Sequence, residues 1–126
     1  MSLRTPLGKA RGLGSAGEGV EHWWQERLAA IALVPLVIWF VYSIVRLGTS
    51  DPAAIDTWLS SPLNAILMTS FLLAALFHSN LGLRVIVEDY VHAKALKLFT
   101  LTVLALLHVL LAICGIYAVL KFAFGA

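Results

Sequence analysis

The chain has 126 residues, of which 60% are hydrophobic and only 13% charged; its mean hydropathy of +0.90 lies outside the range of ordinary soluble domains and places it in a bilayer. The net charge of +2 comes from basic residues flanking apolar runs, so it is no nucleic-acid footprint, and no nucleic-acid partner is expected. A lone cysteine, Cys114, excludes an internal disulfide and reads as a small packing residue.

Met1 to Gly19 hold five of the nine glycines, with Arg4, Lys9 and Arg11 and no acid before Glu18. Such a stretch buries little, and residues 1–19 are expected to form a flexible tail ahead of a membrane domain over 20–126. A cleaved signal peptide is disfavoured, because its basic region would be too long and no small-residue cleavage site clearly follows the first apolar run. Glu21 to Arg27, with Trp23 and Trp24 side by side, form an amphipathic lead-in suited to the headgroup level.

Three stretches without Asp, Glu, Lys or Arg follow: Leu28 to Val45, Thr57 to Leu83 and Leu98 to Leu120. A crossing needs about 20 apolar residues, so the expected fold is an all-α membrane protein with three transmembrane helices, at about 28–47, 62–88 and 97–122. The runs are continuously apolar rather than alternating, and the chain is too short for eight strands, which disfavours a β-barrel. Pro35 predicts a kink in the first span. Trp39, Tyr42 and Arg46 suit its far interface. Gly48 to Pro52 is a turn signal, Trp58 is expected to anchor this loop at the surface, and Ser60-Ser61-Pro62 can start the second helix. In the third span, Ala112, Cys114 and Gly115 form a small-residue patch that would permit close helix approach, and Thr100 and Thr102 can bond back to the backbone.

Seven basic residues (Arg4, Lys9, Arg11, Arg27, Arg84, Lys94, Lys97) fall on the side of the N-terminus and the second loop, against Arg46 and Lys121 opposite. The positive-inside rule then puts the N-terminus in the cytoplasm and the C-terminus outside.

The chemistry is expected between His78 and Tyr90. Ionisable groups within a span are costly, and His78 reads as a cofactor ligand, a proton relay or a side chain bonded to a neighbouring helix. Gly82, one turn on, removes bulk as a flat macrocycle would require, although close helix packing gives the same signal. Haem iron accepts neutral imidazole, and two axial histidines leave an electron-transfer centre. If the helix continues through Asp89, that residue shares a face with His78, about 16 Å along the axis. Asp89 and Tyr90 offer a carboxylate and a phenol beside apolar surface, as a quinone carbonyl needs. Tyrosine at a membrane interface and a solvated acid at a helix end are the bland alternatives. His108 is an internal option for a second ligand, with an interhelical hydrogen bond the preferred reading. His22 and His92 lie at or beyond the interface, where solvated or headgroup-binding roles are expected.

An intramembrane histidine in a three-span chain, followed by Asp-Tyr at the spacing of His78, Asp89 and Tyr90, resembles the smaller of the two hydrophobic membrane anchors of bacterial succinate dehydrogenase (respiratory complex II). Arg27-Leu28-Ala29-Ala30-Ile31 also looks like that family's first-span opening, and the resemblance covers about residues 19–126 by the pattern of spans. It implies a multi-pass protein of the bacterial inner membrane whose partners are a second anchor subunit, an iron-sulfur subunit and a flavoprotein subunit. It implies that His78 is one axial ligand of haem b, the other histidine coming from the second anchor. Tyr90 would donate a hydrogen bond to ubiquinone, Asp89 would support that site, and Arg27 would approach a haem propionate. His22 resembles a family histidine before this arginine, at a spacing that differs by one residue. Arg84 would serve the propionates or the lipid phosphates, and His108 has no counterpart. A fumarate reductase-type anchor running in reverse is the alternative within redox chemistry, and a small transport or assembly subunit with His78 as a proton relay is the alternative outside it.

Overall fold

Backbone polar groups find no water in hydrocarbon, so an apolar run of membrane length satisfies itself by coiling. A computed structural model describes residues 5–8, 18–48 and 52–125, and among these it contains helices α1 (Glu18–Leu47), α2 (Pro52–Leu59), α3 (Pro62–Tyr90) and α4 (Lys94–Phe124). No strand occurs among the described residues. Helices α1, α3 and α4 are long and apolar enough to cross a membrane, which gives the three expected spans. Most of the expected flexible tail, residues 1–4 and 9–17, lies outside the described residues.

Local chemistry sets the helix ends. At the end of α1, Gly48 takes φ 62°, a left-handed conformation that costs glycine little, and its N–H reaches Ile44 O at 2.9 Å. Pro62 opens α3 where no intrahelical N–H is required, behind an extended Ser61. Extended residues Val91 and Ala93 bound the short link from α3 to α4, so these two helices are antiparallel neighbours. Gly125, at φ 65°, ends α4 with its N–H on Lys121 O.

The helices outrun the apolar stretches from which they were expected. α1 starts at Glu18 rather than at about 28, because helical hydrogen bonding continues through Glu21, Glu26 and Arg27 once they have left the hydrocarbon. Its 30 residues measure about 45 Å, against about 30 Å of hydrocarbon core. α1 also runs through Pro35 as one helix.

The segment after Gly48 forms α2, where only a loop was expected. Pro52 sits at its first position, and Thr57 Oγ1 donates back to Ala53 O at 2.9 Å. Two contacts tie it down: Trp58 stacks on Trp39 with centroids 5.5 Å apart, and Asn64 Nδ2 donates to Trp58 O at 2.8 Å. Trp58 therefore anchors this segment to α1, and Leu59 beside it is only 5% exposed.

α3 is the common neighbour. Both α1 and α4 pack along it, and no comparable packing joins α1 to α4 among the described residues. Between α1 and α3, Phe40 stacks on Phe71 with centroids 4.8 Å apart, an arrangement worth about 0.5–1.5 kcal/mol beyond burial. Between α3 and α4, Gly115 lets the helices close on Leu72, whose side chain a Cβ at Gly115 would overlap. Close approach through the small-residue patch is thus realised at Gly115. Hydroxyls inside the spans bond to the carbonyl one turn back, as Ser43 does to Trp39 O (2.8 Å), Thr69 to Ala65 O (2.8 Å) and Thr102 to Leu98 O (2.9 Å), and so avoid standing unpaired in hydrocarbon.

Little is enclosed. The buried residues among those described are Ala29, Ser43, Leu59, Leu81 and Val119, while Ile31, Ile38, Val45, Leu106, Leu110 and Ile113 are among the many large apolar side chains turned outward. An apolar exterior of this extent belongs against lipid or a partner chain.

Candidate functional site

α3 continues through Asp89 to Tyr90, so the helical arithmetic along it holds. At 100° per residue, Phe71, His78, Gly82 and Asp89 fall within about 40° of one another and form a single stripe. The stripe is covered at one end, where Phe40 of α1 stacks on Phe71. It is open at Gly82, where a Cβ would meet nothing within 4 Å. Helix packing inside this chain is therefore not what Gly82 serves.

α1 leaves the stripe on its way across α3. At the far end its residues Glu21, His22, Gln25 and Glu26 share a cleft of about 490 Å³ with Arg84 and Glu88. By the same arithmetic Arg84 and Glu88 lie about 100–140° around α3 from the stripe. The departure of α1 toward that flank leaves the Gly82-to-Asp89 end of the stripe without a cover among the described residues.

His78 sits between these ends, partly buried. Its Nδ1 is buried with no hydrogen-bond partner among the described residues. Leaving that nitrogen unpaired in hydrocarbon is costly, and a group from outside the chain would meet the ring at its other nitrogen, Nε2. Of the other sequence-derived residues, Asp89 is exposed and Tyr90 is 79% exposed at the end of α3.

His22 and Arg27, both expected near a haem propionate, are not brought together. Five residues separate them, which is about 140° around α1. His22 faces the cleft side, with Nε2 buried and unpartnered, whereas Arg27 is exposed, its guanidinium 5.5 Å from the Trp23 ring centroid. Arg84 is held by Glu88 through Nε to Oε1 at 3.0 Å, both side chains about half exposed; such a pair at i,i+4 is worth a few tenths of a kcal/mol.

His108 takes the interhelical role preferred for it. Its Nδ1 lies 2.8 Å from Leu104 O, which makes Nδ1 the donor, and a neutral ring then presents Nε2 as an acceptor to the Ser79 hydroxyl of α3 at 3.4 Å. His92 is exposed, and its Nδ1 lies 3.2 Å from Tyr90 O. Sequence reasoning missed one contact, Lys97 Nζ donating to Glu88 O at 2.8 Å. The short Val91-to-Ala93 link that puts the start of α4 beside the end of α3 was its only signal. No group of three or more His, Cys, Asp or Glu side chains suited to a metal ion occurs among the described residues.

Three membrane-length helices, an exterior left for lipid and partners, and a lone partnerless imidazole in the central helix define a small integral membrane protein of the anchor type. Residues 1–120 match the succinate dehydrogenase/fumarate reductase transmembrane subunit family, and the chain belongs to it. Among its relatives is a succinate dehydrogenase hydrophobic membrane anchor subunit of Rickettsia bellii, 32% identical over 117 residues that cover 93% of this chain and 94% of that one. Another, of the same description, is from Paracoccus denitrificans, 30% identical over 90 residues, 71% of this chain and 70% of that one. A succinate dehydrogenase membrane anchor subunit of Reclinomonas americana is 28% identical over 88 residues, 66% and 72% of the two chains.

Proposed function

We propose that the chain, as the anchor of a succinate:quinone oxidoreductase in the bacterial inner membrane, supplies one axial ligand of haem b from His78 and a quinone site from Asp89 and Tyr90. A second anchor provides the opposite haem ligand. The iron-sulfur partner sits at the end where α3 gives way to α4, with the flavoprotein beyond it. By the count of basic residues this end faces the cytoplasm.

One observation carries the reading: the stripe of His78, Gly82 and Asp89 is left uncovered by α1, and no hydrogen bond among the described residues ties up the His78 imidazole. The residues present fit a haem, since Gly82 leaves room beside the imidazole and no side chain of this chain competes for His78 among the described residues. Haem b bound there would supply a one-electron centre. The remaining roles belong to the chain. Tyr90 offers its hydroxyl to a quinone carbonyl oxygen, and Asp89 places a carboxylate beside it, at the boundary where protons from water and a lipid-soluble substrate meet. Reduction of the quinone takes two electrons and two protons. Both groups stand at the helix end, on the side from which the electrons and the protons arrive. Arg27 is the residue assigned to a haem propionate, its positive charge suiting that carboxylate, with His22, on the other flank of α1, the weaker second choice. The family name covers both succinate oxidation and fumarate reduction, and the physiological direction depends on the soluble partners.

The test is a dithionite-reduced minus oxidised absorption spectrum of the complex purified through this chain, with and without His78→Ala. A b-type signal that is lost in the variant supports ligation by His78. An unchanged spectrum at full haem content would refute it, and no signal in intact wild-type complex removes the haem role.

A further inference from the structure

The last carbonyls of a helix have no N–H of their own helix to meet, and they carry the negative end of its dipole. In the last turn of α3 three of these carbonyls find partners. Val87 O accepts the Val91 N–H at 3.0 Å, Glu88 O accepts Lys97 Nζ at 2.8 Å, and Tyr90 O accepts the Nδ1–H of His92 at 3.2 Å. The second of these bonds differs in kind. It comes from a different helix and it is charge-assisted, which makes it the strongest of the three.

Lys97 is well placed to serve as a fixed point. Its backbone belongs to the first turn of α4, where its N–H bonds Ala93 O at 2.8 Å. About 16 Å further along α4, His108 reaches Ser79 of α3. The two helices are thus joined at two levels, and Lys97 makes the join at the end that bears Asp89 and Tyr90. The Tyr90 side chain has no hydrogen bond among the described residues and is 79% exposed, so the phenol is aimed by the backbone beneath it.

We propose that Lys97 is a positioning residue for the quinone site: by pinning Glu88 O it fixes the end of α3, and so the direction from which Tyr90 meets the quinone. This rests on the reading of Asp89 and Tyr90 as that site. Lys97 does not touch the quinone, and removing its ammonium releases the α3 end without disturbing the distant succinate chemistry.

The experiment is a double-variant cycle in the purified complex, comparing Lys97→Met, Tyr90→Phe and the pair. Succinate-driven reduction of a short-chain ubiquinone is measured beside reduction of a water-soluble dye that takes electrons from the soluble partners. Lys97→Met is expected to raise the KM for quinone by about threefold to tenfold, the scale of one net hydrogen bond at a solvent-exposed site, with dye reduction unchanged. Lys97→Arg, which keeps a charged donor, should return KM to within about twofold of wild type. In the Tyr90→Phe background, Lys97→Met should add nothing further, because there is no phenol left to aim. An unchanged KM in Lys97→Met beside a raised one in Tyr90→Phe overturns the inference and leaves the site reading intact. Effects that multiply in the pair also overturn it, since Lys97 would then act independently of Tyr90. If Tyr90→Phe itself leaves quinone kinetics unchanged, the site reading falls and the inference with it. Where Lys97→Met assembles poorly, Lys97→Gln, neutral and shorter, takes its place in the same cycle.

Discussion

Alanine at Gly115 places a Cβ against Leu72, whereas alanine at Gly82 meets open space. Both substitutions gain about 0.5–1 kcal/mol from the lower conformational entropy of alanine in a helix. At Gly115 that gain is set against overpacking of about 1–3 kcal/mol, because Leu72 has to move before the helices can close. The propensity gain cancels when the two variants are compared, so Gly115→Ala should be less stable than Gly82→Ala by about 1–3 kcal/mol. Denaturant titration of the full-length chain in detergent micelles, followed by near-ultraviolet circular dichroism from the Trp39–Trp58 and Phe40–Phe71 stacks, measures the difference. Adding Leu72→Ala to Gly115→Ala should recover part of the loss, as contacting pairs do in such cycles. Coincident titrations for the two alanine variants would refute the packing argument. The glycine with free space has the opposite importance in the assembled complex. Gly82→Leu should lower haem per complex without lowering the micellar titration midpoint of the chain, which the gain in helix propensity should raise if anything; full haem content in that variant would remove Gly82 from the proposed cradle.

Two other contacts can be weighed the same way. Phe40→Ala removes the α1–α3 stack and should cost about 1 kcal/mol or more, read as a lower denaturation midpoint; an unmoved midpoint would mean that α1 is held elsewhere. His108→Leu should cost about 0.6 kcal/mol, the average of interhelical hydrogen bonds in membranes, and should leave the haem spectrum as it is. A lost b-type signal in that variant would instead make His108 the second ligand.

The spans were legible because Leu28–Val45, Thr57–Leu83 and Leu98–Leu120 lack every charged side chain, and charge is what the bilayer rejects most strongly. Their ends were less so. Apolarity reports the hydrocarbon boundary, whereas a helix such as α1 ends only where its backbone bonding ends, so Glu21 to Arg27 read as a lead-in, and Glu18 and Gly19 as tail, rather than as its first turns. α2 was hidden for a related reason: the eight residues Pro52–Leu59, between two turn signals, look like the interior of a loop, and the contacts that hold them, the stack of Trp58 on Trp39 and the bond from Asn64 to Trp58 O, are tertiary. The site divided along the same line. The spacing of His78, Gly82 and Asp89 could be read because one uninterrupted helix carries all three. Contacts between helices were mostly beyond reach, and the pairing of Lys97 with Glu88 O appears only once the α3–α4 corner is built. His108 is the exception, since a lone polar ring in a span has few choices, and Ser79 proved to be its partner.

The sparse interior of this bundle bears on how its sequence can drift. A side chain facing lipid has only to remain apolar, so leucine, isoleucine, valine and phenylalanine are nearly interchangeable over most of α1, α3 and α4. Strict limits on size fall on few positions, such as Gly115 against Leu72 and the enclosed Ala29 and Leu81. A chain under such loose constraint can keep its architecture while replacing most of its letters, and an identity of only 32% across 117 residues with the Rickettsia bellii anchor is what that freedom would produce.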